Sequence, residues 1–492
     1  MKTVKTLTKN QENTLDLSPD QSQQQLSGID KFFQISQRGS TISAEVRGGV
    51  VTFFAMAYIL VLNPIILAAA TKDTGIDAAS IAAGTALIAG IMTIAMGVFA
   101  NFPLAMAAGM GLNAMVAFTL CLGLGLTFQE AMGLIFWEGV LITVLVLTGF
   151  REAVFKAIPS QLKIAISVGI GLFIALVGLV DAGIIRPGGT PIQLGINGSL
   201  EGWPALVFVT GLVVTVILYV RKVRGAILIG IATSTVLAVI IQAFAALPVK
   251  SDKAPTGWGI TVPQLQGSPI AIPHFDSLLQ ISFFGAFQKL GFLAVLLLVF
   301  SLMLADFFDT MGTMVAIGAE ANLLDETGTP PRSKVILLID SLSAVAGGLG
   351  GVSSNTAYVE SSAGVGEGAR TGLANIVTGV LFLLSMFFAP VVEIVPSEAA
   401  TTALVFVGFL MMTQVAEINW KDPEIAIPAF LTIAFMPFAY SITVGIGMGF
   451  VSYFLIKLGL GKLKEIHPLM WLVSLLFMLY FVLGPVQKAL GA

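Results

Sequence analysis

Apolar residues are gathered along this chain in long blocks separated by short polar turns. The blocks lie near 48–70, 79–100, 103–119, 128–149, 160–181, 203–220, 225–247, 290–318, 333–351, 355–366, 371–390, 398–415, 424–458 and 467–484. Most approach the roughly 20 residues needed to cross a hydrocarbon core about 30 Å thick. The pattern therefore predicts an all-α polytopic membrane protein with about fourteen transmembrane segments. The block at 424–458 is long enough for two pieces divided near Met436-Pro437. Residues 248–289 are the one long polar interruption, rich in Pro and Gly, and they separate a first half (31–247) from a second half (290–492) of seven segments each. The interruption is expected to be an extracytoplasmic connector.

Two blocks are shorter and richer in glycine than an ordinary span. They are Pro103-Leu-Ala-Met-Ala-Ala-Gly-Met-Gly-Leu-Asn113 and Ser354-Asn-Thr-Ala-Tyr-Val-Glu360-Ser-Ser-Ala-Gly364, each third in its half. Interrupted segments at matching places in two halves point to an inverted-repeat transporter with its site near the bilayer midplane. Irregular backbone survives at that depth only where protein or a cavity satisfies its polar groups. Glycines that merely permit close helix packing are the alternative, and the polar side chains carried by both blocks favour the site.

Charge fixes an orientation. Lys31, Arg38 and Arg47 precede the first block, and Arg151, Lys156 and Lys163 follow the fourth. Arg221, Lys222 and Arg224 follow the sixth, and Arg332 and Lys334 the eighth. This even-numbered rhythm predicts a cytoplasmic N-terminus. Lys457, Lys462 and Lys464 break the rhythm, so either 424–458 holds a re-entrant pair or the count fails there. Residues 1–30 have no apolar run; they read as a disordered cytoplasmic tail and, lacking an apolar stretch after the lysines, not as a signal peptide.

Composition narrows the classes further. Of 492 residues 56% are hydrophobic and 11% charged, against about 25% charged in soluble domains. A net charge of −3 gives no sign of a nucleic-acid partner. The lone Cys121 excludes an internal disulfide and a multi-cysteine metal site. His274 and His467 lie far apart and outside the apolar blocks. No metal or cofactor is expected. Without a Walker A sequence or a His-Glu-x-x-His pair the chain is neither an ATP-driven pump nor a zinc protease.

An acid inside an apolar span costs several kcal/mol and marks function by default. Five stand here: Glu138, Asp306, Asp309, Asp340 and Glu360. Asp306 and Asp309 are three apart and share a helical face. Each has a structural alternative: Asp306 as a bond within the bundle, Glu138 as a supporting acid on a smooth helix, Asp340 as a partner for a helix end. Asp309, beside Thr310 and Thr313, and Glu360, beside Ser361 and Ser362 in the broken block, are the strongest candidates. Two carboxylates at a midplane break suit a ligand with several N–H donors, or a cation. Only Arg370, at the edge, supplies positive charge, which disfavours an anion.

Several segments are similar to the AzgA-like branch of the nucleobase–cation symporters. They are Phe32-Phe, Glu45-Val-Arg-Gly-Gly, Phe53-Phe-Ala-Met-Ala-Tyr-Ile-Leu-Val-Leu-Asn-Pro64, Ala108-Gly-Met-Gly111-Leu-Asn113, Asp306-Phe-Phe-Asp309-Thr-Met-Gly-Thr, Thr356-Ala-Tyr-Val-Glu360-Ser-Ser-Ala-Gly-Val-Gly366, Met436-Pro437 and Tyr440-Ser-Ile. The match runs from about residue 32 to the C-terminus. The resemblance implies two inverted repeats, with segments 1–4 and 8–11 as a core domain and 5–7 and 12–14 as a gate domain. It implies inward carriage of hypoxanthine, guanine or adenine with protons, in a bacterial inner membrane, and admits a homodimer. By motif, Asp309 and Glu360 would bond the purine, with Gly111, Asn113, Tyr358 and Ser361 lining the site. Asp340, Asp306, Thr313 and Glu138 would support it or its proton. Related uracil transporters carry a histidine at the position of Thr313, so proton coupling here falls to the carboxylates. The alternatives are a carrier of an anion or other small metabolite with the same fold, a channel, or an intramembrane hydrolase.

Overall fold

The computed structural model describes residues 28–72, 74–148, 157–223, 225–251, 253–259, 261–264, 268–326 and 329–490. Most of the expected tail, and Arg151, Lys156 and Arg224 of the charge pattern, lie outside those residues; residues 28–30 already belong to a short helix.

In chain order the first half comprises α1 (Gly28–Phe33), α2 (Ile42–Met56), α3 (Ile59–Thr71), α4 (Ala78–Ala95), β1 (Met106–Ala108), α5 (Met110–Ala114) and α6 (Phe128–Thr148). It continues with α7 (Ser160–Asp181), a small hairpin of β2 (Ile185–Arg186) and β3 (Gln193–Leu194), α8 (Trp203–Val220) and α9 (Ala226–Ala245). The second half comprises α10 (Gly285–Leu290), α11 (Phe292–Glu320), α12 (Ser333–Gly350), β4 (Asn355–Ala357), α13 (Ser361–Gly366) and α14 (Gly372–Ser385). After these come α15 (Ser397–Ala400), α16 (Thr402–Met412), α17 (Pro423–Phe438), α18 (Ile442–Gly459) and α19 (Pro468–Leu490).

Eleven helices among the described residues are long and apolar enough to cross a membrane, and Met110–Gly123, Pro423–Phe438 and Pro468–Val482 are shorter apolar helices. The fourteen blocks thus do not map one-to-one onto full-length helices. Block 355–366 yields only a strand and a six-residue helix. Block 424–458 yields two helices, because Pro437 ends α17 and Tyr440 adopts a left-handed φ of 52° before α18 begins.

That division settles the misplaced lysines. At about 1.5 Å per residue, the 16 residues of α17 span roughly 24 Å, short of a full crossing. Lys457, near the end of α18, donates to Glu424 at the start of α17 (2.7 Å) and to Glu465 (2.6 Å). Lys462 also pairs with Glu424. Both ends of the α17–α18 pair therefore meet on one face, and the chain returns to the side it left.

The helices pack in two groups. In one, α2, α3, α4, α6, α11, α12 and α14 surround the broken segments; in the other, α7, α8, α9, α16, α17, α18 and α19 pack on one another. Small residues bring the first group close: a Cβ on Gly90 of α4 would lie 2.9 Å from the Gly379 carbonyl oxygen of α14, the close approach expected of membrane helices without bulky side chains between them. On one face Arg38 donates to the carbonyls of Asn101 and Arg370, Arg332 to that of Phe99, and Arg47 pairs with Glu367. Buried Glu45 accepts the Arg370 and Thr371 amides there. Asp77 and His274 meet on the opposite face.

Candidate functional site

The two broken segments meet. β1 and β4 pair antiparallel with Met106 opposite Ala357, Ala107 opposite Thr356 and Ala108 opposite Asn355, and the ladder extends through Gly109 N–H to Ser354 and Tyr358 N–H to Ala105. A two-stranded ribbon leaves its outer edges unpaired, a severe cost at membrane depth. Side chains close the edge of the first segment. Thr93 bonds both the amide and the carbonyl of Met106 (2.9 and 3.0 Å). Asn375 donates to the Phe102 and Leu104 carbonyls, and Ser361 Oγ accepts the Ala105 amide.

Past the ribbon, α5 and α13 start beside a partly open cavity of about 100 Å³. Gly109, Met110, Gly111 and Leu112 line it from the first broken segment, and Tyr358, Val359 and Glu360 from the second. Asp309, Ala305 and Thr313, on one stripe of α11, form a third wall. Opposite stand Ile166, Ser167, Ile170 and Ile174 of α7 with Val407 and Met411 of α16. The cavity thus lies between the two packing groups, with Asp309 and Glu360 on two adjoining walls, a mainly apolar wall facing them, and no Lys or Arg among the described residues of its lining.

The acids are held differently. Asp309 is exposed on the cavity wall, whereas Glu360 is half-buried and accepts the Tyr58 hydroxyl at 2.5 Å. Behind the ribbon, Thr310 donates to Asp340 (2.6 Å) and bonds Thr356 (2.8 Å), tying α11, α12 and β4 together. Tyr358 lines the cavity with its ring while its hydroxyl donates to the Ala108 carbonyl (2.6 Å).

Of the residues singled out in the sequence, Asp309, Glu360, Gly111, Tyr358 and Thr313 lie on the cavity wall. Ser361 is buried and spends its hydroxyl on β1. Asn113 is fully buried, with neither amide atom hydrogen-bonded, away from the lining. Asp306, Asp340 and Glu138 are also fully buried outside the lining, and Ser354 Oγ reaches Glu138 at 3.4 Å. Tyr58, Thr310, Ser167 and Met411 were not singled out. Tyr58 and Thr310 had a signal, their places in recognised segments; the others are ordinary membrane residues whose importance is purely spatial.

A profile described as the permease family matches residues 43–483. The chain belongs to this permease family. It is 40% identical to a guanine/hypoxanthine permease of Bacillus subtilis (strain 168) over 92% of this chain and 99% of that protein. It is 38% identical to an adenine permease of Escherichia coli (strain K12) over 92% of this chain and 96% of that one. The purine-permease family suggested by the motifs is thus the family matched, and the chain is a transporter. The fold of this permease is also that of the transmembrane domain of a cyanobacterial bicarbonate transporter, with a TM-score of 0.55 at 16% identity over 82% of this chain and 97% of that one.

Proposed function

We propose that this permease carries purine nucleobases (hypoxanthine, guanine or adenine) inward with protons by alternating access. The observation that carries the reading is the pair of carboxylates, Asp309 and Glu360, on a cavity without a fixed cation. Purines present N–H edges that carboxylates accept and flat faces that suit the apolar wall of Ile170, Ile174 and Met411. An anion would meet only like charge. Asp309 and Glu360 bond the base, and one of them takes the coupled proton. Asp340, Asp306 and Glu138 support that site from the buried side, with Thr313 at its rim.

The two packing groups serve as core and gate, and residues 31–247 and 290–492 as inverted repeats, each with a strand followed by a short helix in its third segment. The face bearing Arg38, Arg47, Arg332 and Arg370 is cytoplasmic by its positive charge, and the membrane is a bacterial inner membrane. The lining positions on α7, α11 and α16 lie from mid-helix toward that face, which suits an inward-facing state. On the far side Tyr440, at the tip of the α17–α18 pair, stacks edge-on against Phe173 (5.3 Å) of the gate and Phe118 (5.8 Å) of the core, a contact suited to closing the outer path.

Uptake of labelled hypoxanthine, guanine and adenine by proteoliposomes, with and without an inward proton gradient, tests the reading. Gradient-driven accumulation of at least one base is expected. Glu360→Gln is expected to abolish it, and a fully active Glu360→Gln protein would place the site elsewhere.

A further inference from the structure

The first span passes the site at a two-residue joint, Ala57-Tyr58. The bonds from the Leu60 amide to Ala57 and from the Val61 amide to Tyr58 are three-residue bonds, so α2 and α3 are separate helices joined at Ala57-Tyr58. At this joint the Tyr58 side chain is fully buried, with its hydroxyl 2.5 Å from Glu360 Oε1.

We infer that Tyr58 is a positioning residue whose hydroxyl keeps Glu360 hydrogen-bonded both with and without a proton, and so permits the return of the empty carrier. This rests on the purine–proton reading above. A phenol both donates and accepts. To a carboxylate it donates, as the 2.5 Å contact is arranged; when a proton sits on Oε1, the hydroxyl turns and accepts it. An alkyl or phenyl side chain at this place would leave both states without this partner. The need is greatest when the cavity is empty. A bound base supplies N–H donors to Glu360 itself, whereas the unloaded carrier must cross the membrane with the carboxyl group held by the protein alone. No Lys or Arg lines the cavity to take that place, and an ionised group left unpaired in an apolar interior is strongly disfavoured.

The consequence separates two modes of transport. Exchange of internal for external base never requires the empty carrier to reorient; net accumulation does. Tyr58→Phe removes only the hydroxyl and keeps the buried ring. In proteoliposomes, exchange of labelled for unlabelled hypoxanthine by Tyr58→Phe is expected to stay within about threefold of the unmodified protein. Proton-driven net accumulation is expected to fall about tenfold or more, the scale of a lost hydrogen bond to a charged group. Tyr58→His, which retains one ring donor and one ring acceptor, is expected to recover accumulation. Equal loss of both modes in Tyr58→Phe would make Tyr58 merely structural, and loss of neither would overturn its role. If the Phe variant does not fold, Tyr58→His decides: normal exchange with lost accumulation would contradict the inference, whereas retention of both modes would support it. Absence of gradient-driven purine uptake by the unmodified protein would instead overturn the purine reading, and this inference with it.

Discussion

Gly111 is where the first broken segment lies close against α7. A Cβ built there would lie 2.7 Å from Ile170 Cγ2 of α7 and 3.9 Å from Ile174 Cδ1. Carbon atoms in ordinary contact sit about 3.5–4.0 Å apart, so Gly111→Ala drives the methyl roughly 0.8–1.3 Å into Ile170. Only one neighbour is crowded, and it is the end of a side chain, so the protein should still fold. Overpacking of this kind costs about 1–3 kcal/mol. Here it falls on whichever state holds α5 against α7. At about 1.4 kcal/mol per factor of ten, the apparent affinity for the base or the rate of reorientation should change roughly 5- to 140-fold. The assay is concentration-dependent uptake of labelled base by Gly111→Ala, Ile170→Ala and the double variant. Shortening Ile170 removes the crowded methyl, so the double variant should regain most of what Gly111→Ala loses, a coupling expected only of touching residues. Unchanged uptake by Gly111→Ala, or additive losses in the double variant, would refute the reasoning.

Three further outcomes are expected. Tyr440→Ala removes edge-on ring contacts worth about 0.5–1.5 kcal/mol each beyond burial; in a Cys121→Ser background, a cysteine in place of Ile174 should then react with an impermeant maleimide from the far face, and continued protection there with normal labelling from the N-terminal face would exclude an outer gate. Glu424→Gln weakens the tie between the ends of α17 and α18 by removing the charge that both Lys457 and Lys462 meet, so the midpoint of thermal unfolding in detergent should fall; equal midpoints for the variant and the parent would show that the tie adds nothing. Thr310→Val removes the bonds to Asp340 and Thr356 at a cost of about 1–3 kcal/mol, so base uptake should drop while Thr310→Ser keeps it, and equal activity of the two would disconnect these bonds from the site.

Legibility in the sequence followed physical scale. Long apolar blocks are dictated by the bilayer, and they gave the helices. Paired breaks in those blocks gave the ribbon, because Pro103 and the glycines near 351 and 364 interrupt helices that apolarity alone would continue. Asp309 and Glu360 stood out because an acid in lipid needs a reason. What could not be read was direction. Ser361 turns its hydroxyl to the Ala105 amide rather than to the cavity, and Asn113, two residues beyond Gly111, lies behind the wall that Gly111 forms. Such choices depend on the rotation of a short helix, which a motif does not record. Lys457 is the reverse case: its charge looked misplaced until the division of 424–458 into α17 and α18, and its bond to Glu424, brought it back to the side on which α17 starts.

The ribbon also sets a timetable for making the protein. Met106 pairs with Ala357, 251 residues later in the chain (357 − 106). At about 5–20 residues per second of synthesis, β1 spends on the order of 10–50 s in or beside the bilayer before its partner strand exists. During that interval its backbone groups have only local side chains such as Thr93 to satisfy them. The first half is therefore born incomplete, and its sole route to a finished binding surface is the arrival of the second. A ribosome stalled between the two strands would leave a product with an open strand edge at membrane depth, a natural mark for quality-control proteases.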